Sequence, residues 1–260
     1  MAIDTFSTRG ILVIIMDIDN SLTERQIKLL EAIISEYSES SEPVGSKTIV
    51  KKYLIKVSPA TIRNDMAELL EEGFLEMMHT SSGRIPTAQA FRYFIEKLMH
   101  EEEIPVLQEV AFKQRLWPQR YEFEKMLRNG VLSLAEATNH LSLATTKDGF
   151  VTQAGVSRIL NSSEFWNIDV AKSALEFLDK FEVLEKLFSD LDSRQEVTVA
   201  VGKEIGLPNM EHCALVFAPF NTGKKAGNIS VFGPSRMKYQ FVVPAVRYTG
   251  NLIEELVGSW

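Results

Sequence analysis

Cysteine is nearly missing from this sequence. Cys213 is the one thiol among 260 residues, which excludes a disulfide framework and points to a reducing, cytoplasmic setting. Histidine is scarce as well: His79, His100, His140 and His212 stand far apart and form no spacing that could chelate zinc. No apolar run approaches the roughly 20 residues a bilayer-spanning helix needs, so no membrane partner is expected. The strongest run, Ile11 to Met16, is followed by Asp17, Asp19 and Asn20 rather than by the small residues of a signal-peptide cleavage site. It reads either as a docked strand or as text upstream of a true start at Met16. Positive charge is in deficit, 28 Lys and Arg against 35 Asp and Glu for a net charge of −7, so no general basic field is available to hold a nucleic acid. Any such site must be a local patch. There is no nucleophile elbow, nucleotide fingerprint, internal repeat or low-complexity stretch. The chain is therefore expected to be no enzyme and to need no cofactor or metal.

What is present is patterned text. Thr23 with Gln26 forms a capping box before Ile27, Leu30, Ile34 and Tyr37 at helical spacing. Ser46 is placed to cap a short second helix carrying Ile49, Val50 and Tyr53. Ser58-Pro59 puts a capping hydroxyl beside a proline at the first helical position, and the third helix follows with Ile62, Met66, Leu69 and Leu70 inward and Gly73 at its end. Phe74 to Met78, a tight Thr80-Ser81-Ser82-Gly83 loop and Arg84-Ile85 then read as a hairpin, before a helix from Thr87 to about His100. Three helices, a hairpin and a helix are the order of a winged helix-turn-helix. The division expected is an N-terminal extension over 1–20, a winged helix-turn-helix over 21–100, a linker over 101–120 carrying Glu101-Glu102-Glu103, Pro105 and Pro118, and an α+β domain over 121–260. In that last part the pattern predicts helix over 121–140, strands over 141–146 and 150–156, and helical text from Asp169 to Leu191. Strands over 196–201, 213–219 and 228–233 follow, with a helix after Pro244.

An otherwise acidic chain gathers its bases in the first domain. Between Pro43 and Asn64 lie Lys47, Lys51, Lys52, Lys56 and Arg63 without one Asp or Glu. Such a patch attracts phosphate through counterion release but reads no sequence. Sequence reading falls to the third helix, whose inward stripe leaves Ala60, Thr61, Asn64 and Ala67 outward, with Arg63 on the flank. Asn suits adenine, Arg suits guanine, and Thr or Ala methyls suit the thymine methyl. The DNA-binding set expected is Ser46, Lys47, Lys51, Ser58, Ala60, Thr61, Arg63 and Asn64, with Thr80, Ser81, Ser82 and Arg84 from the hairpin.

Leu22 to Gln26, Glu42-Pro43-Val44-Gly45-Ser46, Ser58 to Met66 and His79 to Thr87 together resemble the HrcA family of heat-inducible transcription repressors. Gly227 to Tyr239 is similar to a second signature of that family. The resemblance implies a cytoplasmic repressor of chaperone genes with a winged helix and a reduced GAF-like domain, bound as a homodimer to an inverted-repeat operator and kept active by the chaperonin. A winged-helix regulator whose second domain senses a small molecule is the alternative.

One departure stands out. Family members carry a long middle section with a dimerisation element, whereas here only Lys147 to Gly155 separates the two flanking pieces, and Lys147-Asp148-Gly149 reads as a hairpin turn. Either another surface then dimerises the chain, the reading favoured, or it binds weakly as a monomer. The candidates are the helix from Tyr121 to His140 and the stripe of Val170, Ala174, Phe177, Leu178 and Phe181. Asn221 to Gly227 reads as a turn rather than a phosphate loop, Met237 as a core plug, and Arg236 as a partner of nearby carbonyls, with presentation of Arg236 to a ligand or partner as the alternative.

Overall fold

The computed structural model describes residues 11–12, 22–53, 57–77, 83–191 and 196–258. They form two compact units, one from the described residues of 15–99 with Ser235–Lys238, the other from the remainder. The short strand β1 (Ile11–Leu12) pairs in parallel with Val197 and Thr198 at the edge of the second unit's sheet, so those two residues are a docked strand. Residues 13–20 lie outside the described residues.

The first unit opens with α1 (Glu24–Ser40), whose capping box is complete: the Thr23 amide donates to Gln26 Oε1 at 2.8 Å, and the Gln26 amide donates to Thr23 Oγ1 at 3.3 Å. Next comes α2 (Ser46–Lys52), where Gly45 and not Ser46 holds the cap position and no side chain caps the helix. In α3 (Pro59–Glu71) Ser58 Oγ accepts from the Thr61 amide at 3.1 Å, a cap worth about 1 kcal/mol. Gly73 follows at φ 81°, where a side chain would be strained. Strands β2 (Leu75–Glu76) and β3 (Ile85–Pro86) make the hairpin, and Val44 joins it through two bonds with Arg84, 2.8 and 2.9 Å. Helix α4 (Ala88–Tyr93) is capped by Thr87 and continues as one wide turn over Phe94–Leu98. Leu29, Leu30, Ile33, Ile49, Ile62, Leu69 and Phe91 fill the core of the unit.

In the second unit the stretch expected to be a linker is instead a helix, α5 (Val106–Leu116), whose Phe112 and Leu116 are buried. The two prolines bracket it, Pro105 standing at its N-cap and Pro118 just beyond its end. After α6 (Phe123–Thr138) come β4 (Leu141–Thr146), β5 (Val151–Ala154), α7 (Ile168–Asp179), α8 (Phe181–Asp190), β6 (Val197–Val201), β7 (Cys213–Asn221), β8 (Ala226–Pro234) and α9 (Tyr239–Gly258). The sheet order is β1-β6-β7-β8-β4-β5, antiparallel except at β1. Strands β4 and β6 are buried along their whole length, and β8 from Ile229 onward, so both faces of the sheet are covered, which explains the nearly continuous apolar text of β6. One face, with Leu143, Leu215, Phe217 and Phe232, packs on Phe177, Leu184 and Phe188 of α7 and α8. The other receives α6 and α9, the latter close enough at Gly250 to lie over Ala218 and Ile229. Helix α9 begins before Pro244 rather than after it. A proline at that place leaves the Gln240 carbonyl without its helical donor, and the Glu102 amide supplies one at 2.8 Å.

Candidate nucleic-acid interface

The orientation of α3 is set by a clamp to α1. Asp65 sits on the inward stripe with Ile62, Met66 and Leu69, where an uncompensated carboxylate would be costly. Arg25 meets it with Nε and Nη2, each 2.8 Å from a carboxylate oxygen, and this bonding raises the Arg25 pKa further above its ordinary value. One helical turn on, Gln26 Nε2 donates to Glu68 Oε2 at 2.8 Å. With Asp65 turned in, Ala60, Arg63, Asn64 and Ala67 are exposed. Thr61 is half-buried and its hydroxyl lies 3.0 Å from Ser58 Oγ, so it completes the cap as well as flanking the exposed face.

Beside this face a hollow of about 310 Å³ is lined by Val44, Gly45, Ser46, Lys47, Arg63, Met66, Gly83 and Arg84. Lys47, Arg63 and Arg84 line it and, among the described lining residues, no carboxylate does, which suits a phosphate group. Gly83 is what lets the hairpin close there, since a Cβ at that position would lie 2.5 Å from the Val44 carbonyl oxygen.

Several expected residues stand differently. Ser46 is buried at 8% exposure, so its hydroxyl is no outward reader: as the first residue of α2 it turns into the domain. Lys52 leaves the basic patch because Glu36 and Glu39 each hold its ammonium at 2.7 Å, an attraction that raises its pKa. Lys47, Lys51 and Ser58 are exposed, and Arg84 is half-buried. Thr80, Ser81 and Ser82, like Lys56 and His79, lie outside the described residues. Sequence reasoning missed the Arg25–Asp65 clamp. Its signal was an acid standing between apolar positions of one helical stripe.

The other singled-out residues close turns or serve packing within their own units. Thr222 and Lys225 close the β7–β8 turn, with Gly223 at φ 78°, and Lys225 pairs with Asp148 in the β4–β5 turn. Met237 is buried and Arg236 half-buried. Burial pushes the Cys213 thiol pKa up, away from the reactive thiolate. Of the two candidate dimerisation elements, Met126, Leu127, Val131 and Leu134 of α6 and Ala174, Phe177 and Leu178 of α7 are core, while Leu132 of α6 is exposed and Val170 and Phe181 are half-buried. A cavity of about 600 Å³ lies among Thr145, Lys147, Phe181, Glu185, Phe188, Phe220 and Asn228. Among the described residues no group of three or more His, Cys, Asp or Glu could hold a metal, and no helix is long and apolar enough to cross a membrane.

Comparison with known proteins agrees with this geometry. The family model "Winged helix-turn-helix transcription repressor, HrcA DNA-binding" matches residues 21–99, and "HrcA protein C terminal domain" matches 88–243. The chain is similar to the heat-inducible transcription repressor HrcA of Pelotomaculum thermopropionicum, with 29% identity over 337 aligned positions covering 90% of this chain and 97% of the relative. It is similar also to that of Clostridium tetani, 28% identical with 94% and 96% covered. Both alignments are longer than the 260-residue chain, so the relatives carry positions with no counterpart here. The crystal structure of a hypothetical protein shares the fold, with a TM-score of 0.75 at 21% identity, covering 92% of this chain and 99% of that one.

Proposed function

The chain belongs to the HrcA family of heat-inducible transcription repressors, and from that premise we propose how it reads its DNA: as a homodimer on an inverted repeat, with α3 in the major groove and the Val44–Arg84 edge on the flanking backbone. The family's DNA-binding winged helix and its repression of heat-shock genes are this chain's own. The observation that carries the finer reading is that Lys47, Arg63 and Arg84 line one hollow, with no carboxylate among its described lining residues, beside the exposed Arg63 and Asn64. Within it, Lys47, Lys51, Ser58 and Arg84 position the protein on phosphates, while Ala60, Thr61, Arg63 and Asn64 face base edges. Two such helices must sit about 34 Å apart, one turn of the duplex.

Regulation by the chaperonin follows from the family resemblance, with the second unit as a reduced GAF-like domain and the repressor working in the cytoplasm without catalysis. The cavity between α8 and the sheet supports a second input, a small molecule. A thermal-shift screen of metabolites against a chaperonin pull-down separates the two.

The DNA reading is tested by fluorescence anisotropy with an inverted-repeat duplex and a scrambled one. Asn64→Ala is expected to lose about 1 to 3 kcal/mol on the operator only, and Lys51→Ala to weaken both duplexes alike while reducing the salt slope by about 1. Equal losses on both duplexes from both variants would remove Asn64 from the readers.

A further inference from the structure

We propose that the cavity between α8 and the sheet is a binding site for a short peptide with free ends and apolar side chains. The proposal deepens the small-molecule reading and rests on it. One row of the sheet floors the site: Thr145 of β4 lies opposite Asn228 of β8, which lies opposite Pro219 of β7, so the three side chains share a face. In the next row inward Leu143 and Phe217 pack under α7 and α8, and Ser230 between them donates to the Leu143 carbonyl at 3.2 Å. The outer row has no such closure. Thr145 is 3% exposed, yet its hydroxyl makes no hydrogen bond among the described residues, and neither does the Asn228 side chain. A hydroxyl buried without a partner is costly, and a donor or acceptor brought by a ligand is what this row lacks.

The walls define that ligand. Phe181, Glu185 and Phe188 recur on α8 at spacings of four and three and line the cavity, with Phe188 held against Phe217 at 4.9 Å between ring centres. Two aromatic rings and Pro219 receive apolar side chains. The Asn228 carboxamide carries both a donor and an acceptor, the complement of a peptide group that gives up its water on entering. Among the described lining residues Lys147 is the one cation and Glu185 the one anion; both are exposed and neither is in an ion pair. Lys147 follows β4 and Glu185 belongs to α8, so, unpaired with each other, they suit a carboxylate and an ammonium carried at opposite ends of one molecule. A phosphate ester would be repelled by Glu185, and a wholly apolar ligand would leave Thr145 and Asn228 as they are. At about 600 Å³ the cavity lies in the range that holds drug-sized ligands, with room for more than a single amino acid.

The experiment uses the full chain. Leucyl-phenylalanine is titrated into it by calorimetry, beside the N-acetyl and C-terminal amide forms of the same dipeptide and free phenylalanine. The unmodified dipeptide is expected to saturate and to raise the thermal midpoint, and each blocked form to bind about tenfold more weakly. Lys147→Met is expected to cost about tenfold for the unmodified dipeptide and nothing for the amide, and Glu185→Gln about tenfold for the unmodified dipeptide and nothing for the acetylated form. Loss of folding would not produce that pairing. Thr145→Val, which removes the hydroxyl at nearly equal volume, is expected to weaken every form about threefold to tenfold. No saturable binding of the dipeptide up to about 10 mM, or binding that none of these variants alters, overturns the site, and free phenylalanine bound as tightly as the dipeptide overturns the peptide class. Anisotropy on the operator with and without the dipeptide tests the reading beneath. The expected binding pattern with unchanged operator affinity upholds the site and overturns its use as an input. A chain indifferent to every peptide form, whose operator affinity answers to another metabolite, overturns the ligand class and leaves the small-molecule reading standing.

Discussion

Gly83→Ala isolates the role of the hairpin in DNA binding. Gly83 has no left-handed backbone requirement, so in open space the substitution would stabilise the chain by about 0.4 to 1 kcal/mol through its effect on the unfolded state. Here the added Cβ would lie 2.5 Å from the Val44 oxygen, 2.6 Å from the Val44 carbonyl carbon and 2.7 Å from that of Pro43. All three are backbone atoms, so no rotamer change relieves the clash. The strands must part, and the two Val44–Arg84 bonds of 2.8 and 2.9 Å go with them. At about 0.5 to 1.5 kcal/mol net for each bond, the sign reverses to a loss of about 1 to 2 kcal/mol. In a unit of this size that lowers the thermal midpoint by on the order of 5–10 °C. Arg84 moves away from the hollow it shares with Lys47 and Arg63, and one charge-assisted phosphate contact fewer weakens the operator complex about fivefold to tenfold. Calorimetry reads the first effect and anisotropy the second. A variant as stable as the parent, with unchanged operator affinity, would refute the claim that the closed hairpin edge positions Arg84 for DNA.

Two further predictions follow from the ion pairs. Arg25→Met leaves Asp65 buried without its partner and is expected to be more destabilising than Arg25→Met with Asp65→Asn, a non-additivity that a double-mutant cycle by urea unfolding measures. Lys225, helped by Thr146, holds the Asp148 carboxyl below its ordinary value of 3.8. Its contribution is therefore present above about pH 4 and is lost as the pH falls through the depressed value. Lys225→Met should return that titration to the ordinary range by NMR.

The first unit was largely legible because its signals are local. A capping box, a Ser-Pro helix start and a glycine at φ 81° each act within a few residues, and the structure uses all three. Ser46 was misread because it too looks like a cap, while Gly45 one residue earlier takes that position. The segment 101–120 was misread because two prolines and three acids look like a loop. Pro105 instead starts a helix, and the acids are drawn into tertiary bonds: Glu101 pairs with Arg247 through both oxygens at 2.6 and 2.9 Å, and the Glu102 amide serves the Gln240 carbonyl. Those partners lie far along the chain, where no periodicity reaches. The Lys52 pairing with Glu36 and Glu39 was hidden for the same reason, and it removed one cation from the expected patch.

That removal shows how an acidic molecule can meet a polyanion. The run from Pro43 to Asn64 carries no carboxylate, and three acids that pack near it, Glu36, Glu39 and Asp65, are held in ion pairs, while Glu42 stays exposed at its edge. Lys52 occupies Glu36 and Glu39, Arg25 occupies Asp65 inside the helix packing, and Glu68 accepts from Gln26 one turn farther on. At an ionic strength of about 0.1 M, charges more than roughly 10 Å away are screened. The carboxylates elsewhere in the chain then oppose binding less than Lys47, Arg63 and Arg84 favour it from within contact distance of a phosphate. The cost appears as salt dependence. Screening the local attraction leaves nothing behind it, so affinity should fall linearly in log salt with a slope set by those few contacts rather than by net charge.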